Sequence, residues 1–243
     1  MKRFISILLM LILIIVLETT IFARWIPDLN TPVRMDEELA YPDLHLIAYD
    51  MRGKPIKDRE TKEQLYTYHY ATNEVLKASE IGLIEGYEDG TFRPEASITK
   101  AEFIKLAIVL STNRNFDFSA IPSKLKHWAA PYVAVAEMQG VVGKGQYNLT
   151  NLDKPVTRLE MICILSKIQI NMKGISQYRD AVLPTYPDID NLTEEEKELL
   201  LHACKYELLA IMFEWDEAGN VLPLRPYDNL TRGDAAIAIM RVY

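Results

Sequence analysis

A pentapeptide that recurs three times is the feature that most constrains how this chain can fold. Each copy contains an aliphatic residue, a threonine, a basic residue, a small or apolar residue and an acidic residue, and an apolar run follows it. The copies lie at residues 98–102 (ITKAE), 156–160 (VTRLE) and 230–234 (LTRGD). Such self-similarity is typical of tandem structural units, none of which buries its apolar face alone. The repeat therefore predicts three units that share one core.

Landmarks upstream of the pentapeptide keep the same spacing. The first two threonines are 58 residues apart, and so are the segments 82–84 (GLI) and 140–142 (GVV). The third threonine follows after a further 74 residues, because of an insertion around 214–220, and 207–209 (ELL) takes the place of the glycine segment. Each unit is therefore predicted to contain a helix, a turn, a loop and a second helix. The predicted first helices are 62–81, 128–139 and 193–210, and the predicted second helices are 100–111, 158–171 and 232–242.

The threonine and the acidic residue of the pentapeptide predict a capping box at the start of each second helix. In this arrangement the threonine hydroxyl accepts a hydrogen bond from the N–H three residues on, and the acid reaches back to the threonine N–H. We expect a structural role for these pairs, which are Thr99 with Glu102, Thr157 with Glu160, and Thr231 with Asp234.

The base between them needs a separate explanation. Lys100, Arg158 and Arg232 each place a cation in the first turn of a helix, where the positive end of the helix dipole makes it mildly unfavourable. A helix start with free N–H groups and a flanking cation predicts an anion site, and a guanidinium suits a carboxylate because it binds two oxygens. The alternative is a solvated charge that is merely tolerated three times.

Two aromatic residues occupy equivalent positions at the start of the first helices. Tyr70 and Trp128 each follow a histidine, whereas the third unit has Glu195 at that position. Either aromatic side chain can serve as a flat surface for a sugar, or it can pack in the core. The residues alone leave both interpretations open.

Composition excludes several classes of function. The formal net charge is −7, whereas a nucleic-acid-binding protein needs a basic face. The sequence contains no nucleophile elbow, zincin motif, phosphate-binding loop or paired-cysteine metal motif, so we expect no enzyme activity, cofactor or metal. A disulfide between Cys163 and Cys204 is compatible with an oxidising compartment, but sequence does not fix the distance between them.

The amino-terminal part differs from the repeat. Residues 1–23 have a basic start and a 14-residue apolar run that is too short to cross a bilayer, and they predict a cleaved signal peptide, with an uncleaved anchor as the alternative. Residues 24–60 do not repeat and contain several prolines, and they are interpreted as a lead-in segment.

Residues 82–102 (GLIEGYEDGTFRPEASITKAE) resemble the signature of the S-layer homology domain, and the two later pentapeptides are similar to the same motif. The resemblance implies an all-α fold with three tandem helix–loop–helix modules in a pseudo-threefold arrangement around a shared helical bundle. The module boundaries expected on this basis are 61–112, 113–174 and 175–243.

The resemblance also implies a function. Modules of this family attach surface proteins to secondary cell-wall polysaccharide, in many Gram-positive bacteria through a pyruvate ketal on N-acetylmannosamine. Lys100, Arg158 and Arg232 would then meet the acidic substituent, and Tyr70 and Trp128 would supply sugar contacts. The expected location is the cell wall or cell surface, with other surface-layer proteins as further partners and no nucleic-acid or membrane association after signal cleavage. The alternative is a protein–protein adaptor that uses the same scaffold without binding glycan.

Overall fold

The computed structural model describes residues 40–47, 54–112, 116–122, 125–174, 183–208 and 221–243. The chain divides into two compact units, Met1–Asn73 and Glu74–Tyr243. The predicted signal peptide and the insertion at 214–220 lie outside the described residues. The strands are β1 (His45–Ile47) and β2 (Tyr66–Tyr68), and the α-helices are α1 (Thr72–Glu80), α2 (Lys100–Ser111), α3 (Ala130–Met138), α4 (Arg158–Lys173), α5 (Glu194–Lys205) and α6 (Arg232–Val242).

The first unit contains a small antiparallel sheet. Strand β1 pairs with β2, and His45 lies opposite Tyr68 in the register. The ring of His45 contacts Tyr68, with ring centroids 5.2 Å apart. The prediction of a helix over 62–81 is wrong in its first part, because tyrosine and threonine favour a pleated strand when a partner strand is present. The helix begins only at Thr72, so the chain is helix-rich and not entirely helical.

The second helices of the repeat begin where the pentapeptides place them. Helices α2 and α4 start with complete capping boxes, formed by Thr99 with Glu102 and by Thr157 with Glu160. At the start of α6, the Asp234 N–H donates to the Thr231 hydroxyl over 3.0 Å. Each of these three helices contacts the other two. The largest fully buried side chains include Phe103, Ile104, Ile108, Met161, Ile162, Leu165 and Ile168, all of them on α2 or α4.

A closed ring of backbone hydrogen bonds links the segments that precede these helices. The Ile98 N–H donates to Leu230 O over 3.1 Å, the Leu230 N–H donates to Val156 O over 2.9 Å, and the Val156 N–H donates to Ile98 O over 3.0 Å. Each pentapeptide therefore donates to one of the other two and accepts from the remaining one. The ring lies at the amino-terminal ends of all three helices and fixes their starting points relative to each other.

The turns that follow the first helices share one backbone conformation. Gly82, Gly140 and Glu207 have φ values of 66°, 67° and 56°, which is the left-handed region. The residue after each one donates its N–H back to the helix, from Leu83 to Ala78 O, Val141 to Ala136 O and Leu208 to Ala203 O, over 2.8–2.9 Å. This is the usual way to end a helix with a glycine. The glutamate adopts the same conformation although it has a side chain.

No helix among the residues described is both long enough and apolar enough to cross a bilayer.

Candidate functional site

The candidate site is a cleft in the second unit with a volume of about 320 Å³. We call it the Arg232 cleft. The turn after α1, one side of α2, Trp128 shortly before α3 and the start of α6 form its walls. The lining residues are Gly82, Leu83, Ile84, Glu85, Gly86, Tyr87, Ile98, Glu102, Lys105, Leu106, Val109, Trp128 and Arg232. The region 82–109 and the distant residues Trp128 and Arg232 therefore contribute to one cleft.

Arg232 is the buried cation of this cleft. Its side chain is only 8% exposed. The Nε–H donates to Phe92 O over 3.0 Å, and Nη2 donates to Glu85 O over 2.9 Å. The remaining nitrogen, Nη1, lies 3.8 Å from Glu102 Oε1, which is beyond hydrogen-bond distance. Among the contacts of the described residues, Nη1 therefore keeps donor capacity.

Aromatic rings surround the guanidinium and the mouth of the cleft. The Cζ of Arg232 lies 4.8 Å from the ring centroids of both Tyr87 and Phe92. Trp128 is 53% exposed, so it is not a core residue. An exposed aromatic ring beside a buried cation offers an apolar face and a charge to one ligand, which is how small-molecule sites commonly combine contact area with specificity.

The other two repeated cations have different surroundings. Lys100 Nζ lies 2.5 Å from Glu160 Oε1, and the Tyr147 hydroxyl donates to the same oxygen over 3.3 Å. Burial raises the pKa of Tyr147, so its phenol stays protonated and keeps donating. Arg158 Nη1 donates to Leu224 O over 3.5 Å. Lys100 is thus already paired with a carboxylate, whereas Arg158 faces a carbonyl.

The prediction that free N–H groups at these helix starts bind an anion is wrong. The N–H groups of Lys100, Arg158 and Arg232 donate to Lys154 O, Asp228 O and Ala96 O over 2.8–3.0 Å, and the next residue of each helix donates to a carbonyl as well. The third N–H of each helix donates to the capping threonine. An anion at these helix starts would therefore have to be bound by the basic side chains, because the backbone N–H groups are already hydrogen-bonded.

Tyr70 belongs to the first compact unit of the structure, Met1–Asn73, and not to the unit that contains the Arg232 cleft. It is 42% exposed, and its ring lies 4.2 Å from the ring of His69. Like Trp128, it is therefore a surface aromatic residue and not a core residue. His69 and His127 make the same local contact, because Nδ1 of each accepts a hydrogen bond over 3.1 Å from the N–H two residues later.

Sequence reasoning missed Tyr87 and the carbonyls of Glu85 and Phe92. Tyr87 lies within residues 82–102, where the sequence shows the family signature but nothing that pairs this residue with Arg232. Equivalence between repeats gives no signal here, because the contact with Arg232 joins residues more than 140 positions apart. Asp188, within the expected third module, accepts hydrogen bonds from the N–H groups of Leu224 and Arg225 over 2.9 and 2.7 Å, so its carboxylate has a structural role.

Comparison with known proteins finds a family model that matches part of the chain. The S-layer homology domain model matches residues 66–104. The match covers the first repeat, which is the one whose signature the sequence shows best.

Two relatives extend the comparison. The chain is 25% identical over 195 residues to an amylopullulanase of Thermoanaerobacterium thermosulfurigenes, an alignment that covers 79% of this chain and 9% of the relative. It is 35% identical over 85 residues to an uncharacterized cell wall amidase of Bacillus anthracis, covering 34% of this chain and 16% of the relative. The chain therefore spans less than a fifth of either relative.

Proposed function

We propose that this protein is exported and attaches non-covalently to cell-wall polysaccharide through S-layer homology modules. The family match at residues 66–104 and the similarity to a cell wall amidase support a role at the cell wall or cell surface. The acidic balance of the chain, with a formal net charge of −7, disfavours bulk attraction to an anionic polymer. Recognition then depends on a few cations placed in clefts.

The proposal includes three tandem modules around a pseudo-threefold axis, with boundaries at 61–112, 113–174 and 175–243. The ring of hydrogen bonds among Ile98, Val156 and Leu230 supports this arrangement, because each pentapeptide occupies an equivalent place in it. The shared left-handed conformation of Gly82, Gly140 and Glu207 supports it as well. The mutual contacts of α2, α4 and α6 support a central bundle.

The observation that carries the glycan proposal is the buried Arg232 guanidinium beside the exposed Trp128 in one cleft. A guanidinium nitrogen that makes no hydrogen bond among the described residues is suited to a carboxylate, such as that of a pyruvylated sugar, and an indole suits the apolar face of the sugar ring. We rank the Arg232 cleft first. Lys100, Arg158 and Tyr70 remain further candidate contacts of the same chemistry.

Binding to purified cell-wall sacculi tests the proposal. The sacculi are stripped of protein, and one half of the preparation is also stripped of polysaccharide. The unmodified protein is expected to sediment only with sacculi that keep their polysaccharide. Trp128→Ala is expected to lower retention at least about fivefold, because removal of a ligand-contacting aromatic residue typically costs 1 kcal/mol or more. Since Trp128 is exposed, the variant should fold normally.

A matched control separates a site from a general surface effect. Tyr227 is 62% exposed and does not line the Arg232 cleft, so Tyr227→Ala should be retained like the unmodified protein. Equal retention of both variants would contradict the assigned cleft. A third preparation keeps its wall proteins, and binding to that preparation alone would instead support the adaptor function. Clearing of wall glycan in a zymogram would support an enzyme.

A further inference from the structure

A short chain of charged and aromatic side chains leads from the surface to Arg232. Asp89 Oδ2 accepts a hydrogen bond from Arg93 Nη2 over 2.7 Å, and Arg93 Nε donates to the Thr91 hydroxyl over 3.2 Å. The Arg93 guanidinium lies over the ring of Tyr87, with its Cζ 3.9 Å from the centroid. The same ring lies 4.8 Å from the Cζ of Arg232. Tyr87 therefore contacts two guanidinium groups at once.

The outer end of this chain is held firmly. Hydrogen bonds from the side chain of Thr91, and then from Arg93, lower the pKa of Asp89 to about 2, so its carboxylate is charged at all physiological pH values. Arg93 has a φ of 57°, in the left-handed region that non-glycine residues seldom adopt. Such a conformation persists when surrounding contacts over-determine it, and it is common at functional sites.

At the inner end of this chain of side chains, the hydrogen bonds of the Arg232 guanidinium leave its motion out of the plane unrestricted. Two carbonyl acceptors fix Nε and Nη2 of Arg232, and they act along one edge of the guanidinium. The ring of Tyr87 restricts motion of the group out of its plane, because a cation is attracted to an aromatic face. Because Arg93 holds the ring of Tyr87 in place, that ring restricts the Arg232 guanidinium more than a mobile ring would.

We propose that Arg93 is a positioning residue of the Arg232 cleft: it holds Tyr87 against the Arg232 guanidinium so that Nη1 faces the ligand. The inference rests on the proposed function for its ligand, but the contact of Arg93 with Tyr87 and Arg232 can be tested without any ligand. Arg93 is not itself a lining residue of the cleft, so its effect on binding is indirect.

The first test measures the Arg232 guanidinium directly. Its Nε–H signal in a ¹⁵N-labelled protein is assigned by its disappearance in Arg232→Lys, and its exchange with water is followed by NMR. Arg93→Ala is expected to accelerate this exchange at least about threefold, which corresponds to losing a partly exposed cation–π contact. Arg93→Lys keeps a cation over the ring and should restore most of the protection.

The second test measures binding by calorimetry with two probes, a pyruvylated N-acetylmannosamine glycoside and its unpyruvylated counterpart. Arg93→Ala should weaken binding of the pyruvylated probe about three- to fivefold and leave binding of the other probe unchanged. Tyr87→Leu should have the same effect, and Tyr87→Phe, which keeps the ring, should have little. The double variant Arg93→Ala/Tyr87→Leu should bind no more weakly than either single variant, because both act through one contact.

Arg225 provides a matched control. It has a φ of 52°, precedes a proline and lies at the same offset from its threonine as Arg93, but its Nε lies 3.5 Å from Asp228 Oδ2, whereas Arg93 lies over the ring of Tyr87. Arg225→Ala should leave both the Arg232 signal and probe binding unchanged. An equal effect of the two arginine variants would overturn the proposal, because it would show a general consequence of altering the turn.

Other outcomes are equally decisive. Unchanged Nε–H exchange in Arg93→Ala would overturn the inference whatever the calorimetry gives, and so would faster exchange with unchanged binding of the pyruvylated probe. If the unmodified protein binds neither probe, the proposed glycan function fails. The exchange measurement then still decides whether Arg93 positions Arg232.

Discussion

At the scale of single residues, one repeated cation has three different partners. Lys100 meets the carboxylate of Glu160, Arg158 meets the carbonyl of Leu224, and Arg232 meets the carbonyls of Glu85 and Phe92. The repeat predicts a cation at each helix start, but its partner comes from another part of the chain. For this reason the sequence identifies the three side chains and does not distinguish among them.

The Lys100–Glu160 pair is expected to stabilise the fold. Both side chains are largely buried, at 16% and 21% exposed, so Glu160→Gln should lower the free energy of unfolding by about 1–2 kcal/mol because it leaves the ammonium without its countercharge. The matched control is Glu102→Gln, whose carboxylate lies 3.8 Å from Arg232, and we expect a loss below about 0.5 kcal/mol. Glutamine keeps the capping box in both variants. Equal losses in urea unfolding would contradict a stabilising role for the pair.

The two cysteines should be unreactive while the protein is folded. Both are free thiols, and burial raises the pKa of Cys163 to about 12 and that of Cys204 to about 11. An unfolded thiol has a pKa of about 8.5, so the folded state binds more protons above that pH, and stability falls as the pH rises through about 8.5 towards 11. Reaction with Ellman's reagent at pH 8 should be slow in native protein and complete in guanidinium chloride. Rapid reaction of native protein would contradict this expectation.

At the scale of elements, the helices that follow a capping threonine were predictable because the signal is local. The predicted starts of 100, 158 and 232 agree with α2, α4 and α6, and only α4 ends later than expected, at Lys173. The start of the first predicted helix was wrong because the partner of Tyr66–Tyr68 is β1, and periodicity does not report a strand pairing across about 20 residues. The substitution of Glu207 for glycine was found from spacing alone.

Glu207 offers a simple stabilising substitution. Its φ of 56° is costly for a residue with a side chain, so Glu207→Gly should raise the free energy of unfolding by about 0.5–1 kcal/mol, although it loses an exposed ion pair with Arg241. Gly82→Ala should lower the free energy of unfolding by about 1 kcal/mol. A Cβ at Gly82 would meet no atom within 4 Å, so the cost is conformational only. Chemical denaturation measures the free energy of unfolding of both variants. A change in the same direction for Glu207→Gly and Gly82→Ala would contradict a cost of the left-handed conformation.

At the scale of the whole molecule, the contacts that join the three pentapeptides are mutual. The first N–H of each second helix is satisfied by a carbonyl from a different repeat. Removing one repeat therefore leaves unpaired groups in both others, and an unsatisfied buried N–H or carbonyl costs about 1–3 kcal/mol. The repeated sequence predicts a shared core, but only the structure identifies the carbonyls that complete each helix start.

A chain that ends at residue 220 should therefore lose more than one helix. Without Leu230 and Arg232, the hydrogen-bond ring is open and the carbonyls of Ala96 and Glu85 lose their donors. We expect the cooperative unfolding transition of the second unit to disappear in calorimetry. Removing only the exposed Tyr243 should leave it unchanged. A sharp transition that persists, with helix content reduced only by the 11 residues of α6, would contradict this interdependence.

The contacts of Arg232 also bear on when the protein can fold. Its hydrogen bonds to Phe92 and Glu85 join positions 140 and 147 residues apart in sequence. During synthesis, the turn that forms one wall of the cleft gains these two hydrogen bonds only after Arg232 has left the ribosome. A nascent chain that still lacks residue 232 therefore leaves the carbonyls of Glu85 and Phe92 without these donors.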